Sequence, residues 1–238
     1  MSTGPHPYPR LPQSPDVLGE LLHSLSQPLT SLRCSLELSL ELAPDEVAEQ
    51  RQESVSAALQ QTEKVIGMIQ LMREYLDAEQ PAPETNSAAL APVLHYVVEE
   101  LSSIAAVRGV RLCLVGTCSA VLSAPEARLR LALQYLIASM IEAQPEGGKV
   151  MLLLGEGPAG TVLRAEGERN RSPGIPNTTT DPAHGSSLLR RVRLAIAGRV
   201  FETAGATLAF RALDVDPAGV YPSGFVLRLP RRTAASVP

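Results

Sequence analysis

Aromatic side chains are scarce in this chain of 238 residues: they make up 3% of it, and tryptophan is absent. Hydrophobic residues still account for 45%, enough for a packed core, so that core must be built from Leu, Val, Ile and Ala. A chain of this length forms one large or two small domains.

Cysteine, positive charge and long apolar runs are scarce as well. Cys34, Cys113 and Cys118 are odd in number and form no CxxC pair, which favours reduced thiols over a disulfide framework or a zinc site. A net charge of −4 gives no reason to expect nucleic-acid binding. The sequence has no run of about 18 uninterrupted apolar residues and no signal-peptide core. We therefore expect a cytoplasmic protein with no metal site, no membrane span and no nucleic-acid partner.

A leucine repeat marks the first predicted helix, which should run from Asp16, its N-cap, to about Leu42. Leucines spaced alternately by four and three form an apolar seam of the kind that pairs helices: Leu18, Leu22, Leu25, Leu29, Leu32 and Leu36. His23 lies one residue off this seam, about 100° round the helix, where an imidazole meets water. Pro28 follows one turn later, removes a backbone donor and tends to kink a helix.

A second predicted helix ends near Glu79, after a short break at 43–45. It carries its own three-four repeat of Val55, Leu59, Thr62, Ile66, Ile69, Met72 and Leu76. Two long helices joined by a short loop form an antiparallel hairpin. Because such a hairpin has two apolar flanks and little surface to cover them, we expect a homodimeric four-helix bundle. The alternative is that the hairpin packs on the rest of its own chain.

The pattern changes after a proline-rich linker. We predict a flexible leader at 1–15, the hairpin at 16–80, the linker at 81–87, a second domain at 88–231 and a tail at 232–238. Within the second domain the pattern predicts helices near 88–108, 125–143 and 186–204, and strands near 110–116, 120–122, 149–156, 160–168, 206–213 and 224–230. A glycine- and proline-rich loop should occupy 170–185. The fold class is therefore α+β: a helical hairpin followed by an α/β sandwich.

The segment His23-Ser24-Leu25-Ser26-Gln27-Pro28-Leu29-Thr30 resembles the phosphoacceptor box of bacterial sensor histidine kinases, His-Glu-Leu-Arg-Gln/Asn-Pro-Leu-Thr, at six of eight positions. The second domain is similar, in the order of its elements, to the ATP-binding domain of these kinases. The resemblance covers about residues 16–231 and implies that His23 accepts a phosphoryl group. It also implies receiver contacts on the same helix face: Ser26, Gln27, Thr30 and Arg33.

The second domain departs from the family where nucleotide should bind. Resemblance places Ser139 where the family has an Asn that holds Mg²⁺ and phosphate, and Tyr135 replaces a second Asn. Phosphate loops need glycine so that backbone N–H groups can approach the oxygens, and arginine would fill that space. Loss of the Mg²⁺ ligand removes charge neutralisation worth several kcal/mol. By resemblance, five residues lie where the family has its nucleotide-binding motifs, and we call these the degenerate positions: Ser139, Asn170, Gly174, Arg191 and Arg193.

These departures favour a histidine phosphotransferase, a pseudokinase that passes phosphoryl groups between His23 and receiver-domain aspartates of response regulators. We expect no cofactor, because the receiver would supply Mg²⁺ and ATP binding is not expected. Ser24, in place of the family's acidic residue, is a poor base. The alternatives are a divergent ATP-dependent sensor-type histidine kinase and a non-enzymatic dimeric adaptor of a response regulator. His95 is expected to pack or hydrogen-bond. A solvated helix side, rather than a basic binding face, is expected for Arg190, Arg191, Arg193 and Arg199.

Overall fold

The computed structural model describes residues 17–41, 48–81, 86–167, 184–210, 215–216, 219–220 and 224–230. The chain divides into two compact units: Ser14–Asp77, and a larger one that contains Ala78–Pro238. Several predicted features lie wholly or largely outside the described residues: the leader 1–15, the break at 43–45, most of the linker 81–87, most of the loop 170–185 with Asn170 and Gly174, and the tail 232–238.

The first unit is built from two long helices, α1 (Val17–Glu41) and α2 (Ala48–Glu79), which confirms both predicted helices. At 1.5 Å per residue, the 25 residues of α1 extend about 37 Å. The helix continues through Pro28, whose ring is buried, and Leu21 one heptad earlier is fully buried. Ser24 Oγ lies 4.0 Å from Sδ of Met68, so this buried side of α1 faces α2.

The second unit contains three helices and nine short or medium strands among its described residues. The helices are α3 (Leu90–Val107), α4 (Glu126–Glu142) and α5 (His184–Thr203). The strands are β1 (Ala88–Ala89), β2 (Arg111–Val115), β3 (Val121–Leu122), β4 (Lys149–Gly157), β5 (Gly160–Gly167), β6 (Thr207–Phe210), β7 (Val215–Asp216), β8 (Gly219–Val220) and β9 (Gly224–Pro230). Every predicted helix and strand is confirmed to within a few residues, whereas β1, β7 and β8 were not predicted.

One five-stranded sheet, in the order β2-β4-β5-β9-β6, organises this unit. The β2–β4 pair is parallel and the other pairs are antiparallel. The predicted β4–β5 hairpin is confirmed, with Gly157 opposite Gly160 at its end. Where β2 ends, Gly116 takes φ +94°, and a Cβ there would collide with the carbonyl oxygen of Leu154, so glycine is required. The short pairs β1–β3 and β7–β8 stand apart from the main sheet.

The core lies between the helices and one face of the sheet. Burial alternates along β4: Val150, Leu152 and Leu154 are buried, while the residues between them are half-exposed. Helix α4 contributes five fully buried side chains to the core: Leu129, Leu133, Leu136, Ile137 and Met140. Phe201 and Phe225 are the largest fully buried side chains among the described residues, so the predicted aliphatic core is built around two of the few aromatic residues.

Helix α3 is apolar and long enough to cross a membrane, by length and composition alone, with a mean hydropathy of 1.3 over 18 residues. It packs against α4 and β2, and one side of it is buried within the unit: Leu90, Ala91, Val93, Leu94, Val97, Leu101 and Ala105. The other side carries Glu99 and Glu100. This pattern is that of a core helix in a folded domain.

Candidate functional site

His23 lies on the exposed side of α1. Leu21 is fully buried, and a step of two residues turns the helix by about 200°, so the imidazole is held on the side opposite the hairpin interior. Leu21 and Pro28 are buried on one side of the helix, and His23 is presented to solvent on the other side.

Ser24, the residue after His23, is turned toward α2. Its hydroxyl donates a hydrogen bond to the carbonyl oxygen of Leu21 at 2.9 Å and lies 4.0 Å from Sδ of Met68. The hydroxyl is therefore engaged about 100° round the helix from the imidazole. Ser24 is not placed to take a proton from His23.

The four predicted receiver contacts are all exposed on α1: Ser26, Gln27, Thr30 and Arg33. Helical spacing puts Gln27 and Thr30 directly along the axis from His23, with Ser26 and Arg33 on one flank. Thr30 Oγ1 donates to the carbonyl oxygen of Ser26 at 2.9 Å, which fixes the orientation of its hydroxyl. Arg33 Nε donates to Oε1 of Glu37 at 2.6 Å.

The leucine seam divides between the interior and the surface of the hairpin. Leu22, Leu29 and Leu36 are 57%, 43% and 48% exposed, whereas Leu18, Leu25 and Leu32 are half-buried. Helix α2 exposes most of its predicted apolar repeat as well: Val55, Leu59, Ile66, Ile69 and Leu76. The hairpin as described thus has apolar flanks that its own two helices leave uncovered.

In the second unit, the face of α4 that the resemblance assigns to nucleotide is packed against α5. Tyr135, Ser139 and Glu142 follow one another at spacings of four and three on one side of α4. Arg190 of α5 donates from Nε and Nη2 to Oε2 of Glu142, at 3.2 and 3.0 Å. These two side chains are only 13% and 27% exposed. The guanidinium of Arg193 lies 5.6 Å from the ring centroid of Tyr135, a cation–π distance.

Two polar atoms in this interface have no hydrogen-bond partner among the described residues: Oγ of Ser139 and Nε of Arg193. Ser139 is 3% exposed, so its hydroxyl is desolvated by the packing of α5. The predicted solvated helix side was wrong for Arg190 and Arg193, because Glu142 and Tyr135 draw both side chains onto α4. Arg191 is exposed, and the side chain of Arg199 is 40% exposed.

Glu142 is a residue of this interface that the sequence interpretation missed. The available signal was its spacing, three residues beyond Ser139 and opposite a helix rich in arginine. The prediction for His95 is confirmed, since its Nδ1 lies 2.8 Å from the carbonyl oxygen of Ala91. Within the part of the chain that the structure describes, no group of three His, Cys, Asp or Glu side chains is arranged to hold a metal ion.

A separate cavity of about 390 Å³ lies at the far end of the β4–β5 hairpin, where no site was predicted. Glu156 at its edge accepts hydrogen bonds from the N–H and the hydroxyl of Ser119, at 2.6 and 2.8 Å. Burial raises the pKa of the neighbouring Cys118 thiol, and the charge of Glu156 adds to this shift. The thiol is therefore less ionised than a solvated cysteine at the same pH.

No family model and no curated protein matches this chain by sequence. Solved structures do match: histidine kinase AdeS of Acinetobacter baumannii has 18% identity and a TM-score of 0.58 over 88% of this chain and 98% of that one. Histidine kinase ThkA, in complex with response regulator protein TrrA, has 14% identity and a TM-score of 0.55 over 91% of this chain. The match spans 61% of the ThkA chain. This chain therefore has the fold of a histidine kinase core, a helical hairpin followed by a mixed α/β domain.

Proposed function

We propose that this protein is a histidine phosphotransferase of two-component signalling, a kinase-shaped pseudokinase in which His23 exchanges phosphoryl groups with receiver aspartates. The observation that carries the proposal is the packing of α5 arginines onto the Tyr135–Ser139–Glu142 side of α4. In the family that this chain resembles, that side holds Mg²⁺ and phosphate. Here an ion pair and a cation–π contact span it, and Ser139 and Tyr135 stand where the family has two asparagines.

The proposed transfer needs little from this chain except the nucleophile. Imidazole is largely neutral near pH 7 and therefore nucleophilic. A ring nitrogen of His23 attacks the phosphorus of an aspartyl phosphate, a P–N bond forms, and the bond from phosphorus to the carboxylate oxygen breaks. The aspartate leaves as carboxylate, and the other ring nitrogen, which carries the proton of the neutral imidazole, can release it to solvent. Mg²⁺ for this step is expected on the receiver, so the degenerate second unit does not prevent the reaction.

Two further observations support this reading. The solved ThkA structure is a complex with a response regulator, and a receiver is the partner that we propose for the exposed His23 face. The uncovered leucines of α1 and the apolar repeat of α2 favour a homodimeric four-helix bundle, which would bury them. Such a dimer would carry two copies of His23 on its outside.

The direct test is phosphoryl transfer from a receiver. Receiver domains of the same organism are phosphorylated with labelled acetyl phosphate, freed of the donor and mixed with this protein. We expect an acid-labile label that requires His23, so that His23→Gln abolishes it. His95→Gln is the matched control, because His95 is also exposed and helical but lies in the other unit. Transfer from no receiver, or a label that survives in His23→Gln, would contradict the proposal.

The kinase alternative is supported by the names of the structures that share this fold. It is tested by titration calorimetry with ATP and Mg²⁺ and by incubation with γ-labelled ATP. We expect neither binding nor label, and label on His23 from ATP alone would replace phosphotransfer by autokinase activity. The adaptor alternative predicts that His23→Gln leaves signalling intact while Leu32→Pro, which breaks α1, abolishes it.

A further inference from the structure

The main sheet has a second face, opposite the one on which the helices of the same unit pack. In β4 the residues that alternate with the buried set point to this face: Lys149, Met151 and Leu153. Strand pairing extends the face across the sheet, since Leu153 is opposite Val115 on one side and Arg164 on the other, and Arg164 is opposite Val226. All of these side chains are half- or fully exposed. We call this surface the open face.

Positive charge is concentrated on the open face. Its charged side chains are Arg111, Lys149, Arg164, Arg228 and Glu166. Glu166 forms an ion pair with Arg164. Arg111, Lys149 and Arg228 form no ion pair with another described residue. In a chain with a net charge of −4, such a local excess of cations is attractive to an acidic partner.

Aliphatic side chains fill the space between these cations. They are Val115, Met151, Leu153, Val162, Ala209 and Val226. Val115 is 55% exposed, and the others are half-buried. The open face of the described strands carries no aromatic side chain, so it lacks the stacking surfaces with which proteins hold single-stranded nucleic acid. An apolar centre among cations instead matches a partner that is apolar along one stripe and acidic beside it.

The cations follow a diagonal across the sheet. Arg164 lies on β5, next to the strand of Lys149, and its pairing position on β4 is four residues beyond Lys149. Arg228 lies on β9, the next strand, and is displaced by two more residues in the same direction. With about 3.3 Å per residue and about 4.8 Å between strands, the diagonal from Lys149 to Arg228 is about 22 Å long. An α-helix of about 15 residues has this length.

We propose that the open face binds an acidic amphipathic helix of a partner protein. The apolar face of that helix packs on Leu153, Val162 and Val226. Its carboxylates form ion pairs with Arg164, Arg228 and Lys149. This proposal does not depend on phosphotransfer by His23, because the open face belongs to the second unit and to the sheet layer away from α4 and α5.

The test uses the full chain and a labelled synthetic 16-residue peptide with leucine at helical spacing and glutamate elsewhere. Fluorescence anisotropy measures its binding at physiological salt. Binding should be lost when the glutamates are replaced by lysine, and also when the leucines are replaced by serine with the charge kept. Arg228→Glu should weaken binding by about 10-fold or more, since it replaces an attraction with a repulsion. Arg108→Glu, at the exposed end of α3 in the helix layer, is the matched control and should change binding less than about 2-fold.

Four results would overturn the proposal. The first is equal weakening by Arg228→Glu and Arg108→Glu, which would mean non-specific charge attraction. The second is unchanged binding of the serine peptide, which would mean that the apolar centre contributes nothing. The third is that the acidic peptide does not bind, while the protein binds oligothymidine or vesicles of phosphatidylcholine and phosphatidylserine in a way that depends on Arg228. Hydrogen exchange should show protection in 160–167 and 224–230, and protection elsewhere alone would also count against the open face.

Discussion

Replacement of Leu29 by glutamine should weaken the proposed homodimer strongly. Leu22, Leu29 and Leu36 lie one heptad apart on α1, and Leu29 is 43% exposed in the single chain. Full burial of a leucine contributes about 1.5–3 kcal/mol, so covering the exposed part of Leu29 contributes about 1 kcal/mol. A two-fold dimer contains the residue twice, which gives about 2 kcal/mol and a Kd increase of about 30-fold. Burying the glutamine amide adds to this loss.

Leu38 supplies the matched control for this prediction. It is 59% exposed, more than Leu29, but lies nine residues away and therefore about 180° round the helix. Leu38→Gln should leave the dimer unchanged if the seam is the interface. Sedimentation equilibrium over a range of concentrations measures both variants, with circular dichroism to confirm that α1 and α2 remain helical. The reasoning is wrong if the parent chain is monomeric at high concentration, or if Leu38→Gln weakens association as much as Leu29→Gln.

Three further predictions concern the second unit. Ser139→Ala should raise the free energy of unfolding by about 1 kcal/mol, because it removes a buried hydroxyl that has no hydrogen-bond partner among the described residues; a fall in the urea midpoint would contradict this. Glu142→Gln should lower the free energy of unfolding by about 1–2 kcal/mol, because it breaks the ion pair with Arg190. In an Arg190→Met background the same substitution should lose most of this effect, and a double-mutant cycle measures the difference. Full additivity of the two substitutions would contradict the coupling. Iodoacetamide at pH 8 should alkylate exposed Cys34 faster than Cys118, whose raised pKa leaves less thiolate at a given pH, and mass spectrometry of timed samples would expose the reverse order.

The elements of the fold could be predicted because their signals are local. Apolar residues repeated at spacings of three and four predicted both long helices. Two strand-like segments joined by a Gly-Pro turn predicted the β4–β5 hairpin. The two-residue strand β1 was missed because Ala88–Ala89 has no pattern of its own and exists only through pairing with Val121–Leu122. Strand pairing between distant segments, including the parallel β2–β4 pair, likewise has no local signal.

The site was only partly predictable from the sequence. Exposure of His23 followed from its position one residue off the leucine seam, which is a property of one helix. The half-buried positions of Arg190 and Arg193 could not be predicted, because an arginine-rich helix side is usually solvated and the sequence does not show which helix covers it. Only the approach of α4 and α5 gives Glu142 and Tyr135 as partners.

In the phosphotransferase that we propose, acceptor chemistry and nucleotide chemistry depend on different surfaces, and this separation explains how the first can persist without the second. In this proposal, presentation of His23 requires a continuous α1, whose Leu21 and Pro28 are buried. In the proposed phosphotransferase the Tyr135–Ser139–Glu142 side of α4 is free of the requirement to bind phosphate, and here it forms ion-pair and cation–π contacts with α5. An open nucleotide cleft leaves polar groups to solvent or ligand, whereas a closed cleft desolvates them. In the closed cleft that we propose, the hydroxyl of Ser139 is desolvated without compensation, since it has no hydrogen-bond partner among the described residues. Reopening the cleft would require the loss of the Arg190–Glu142 pair before any ligand could gain the same contacts, so substitution of Ser139 by asparagine alone should not restore nucleotide binding.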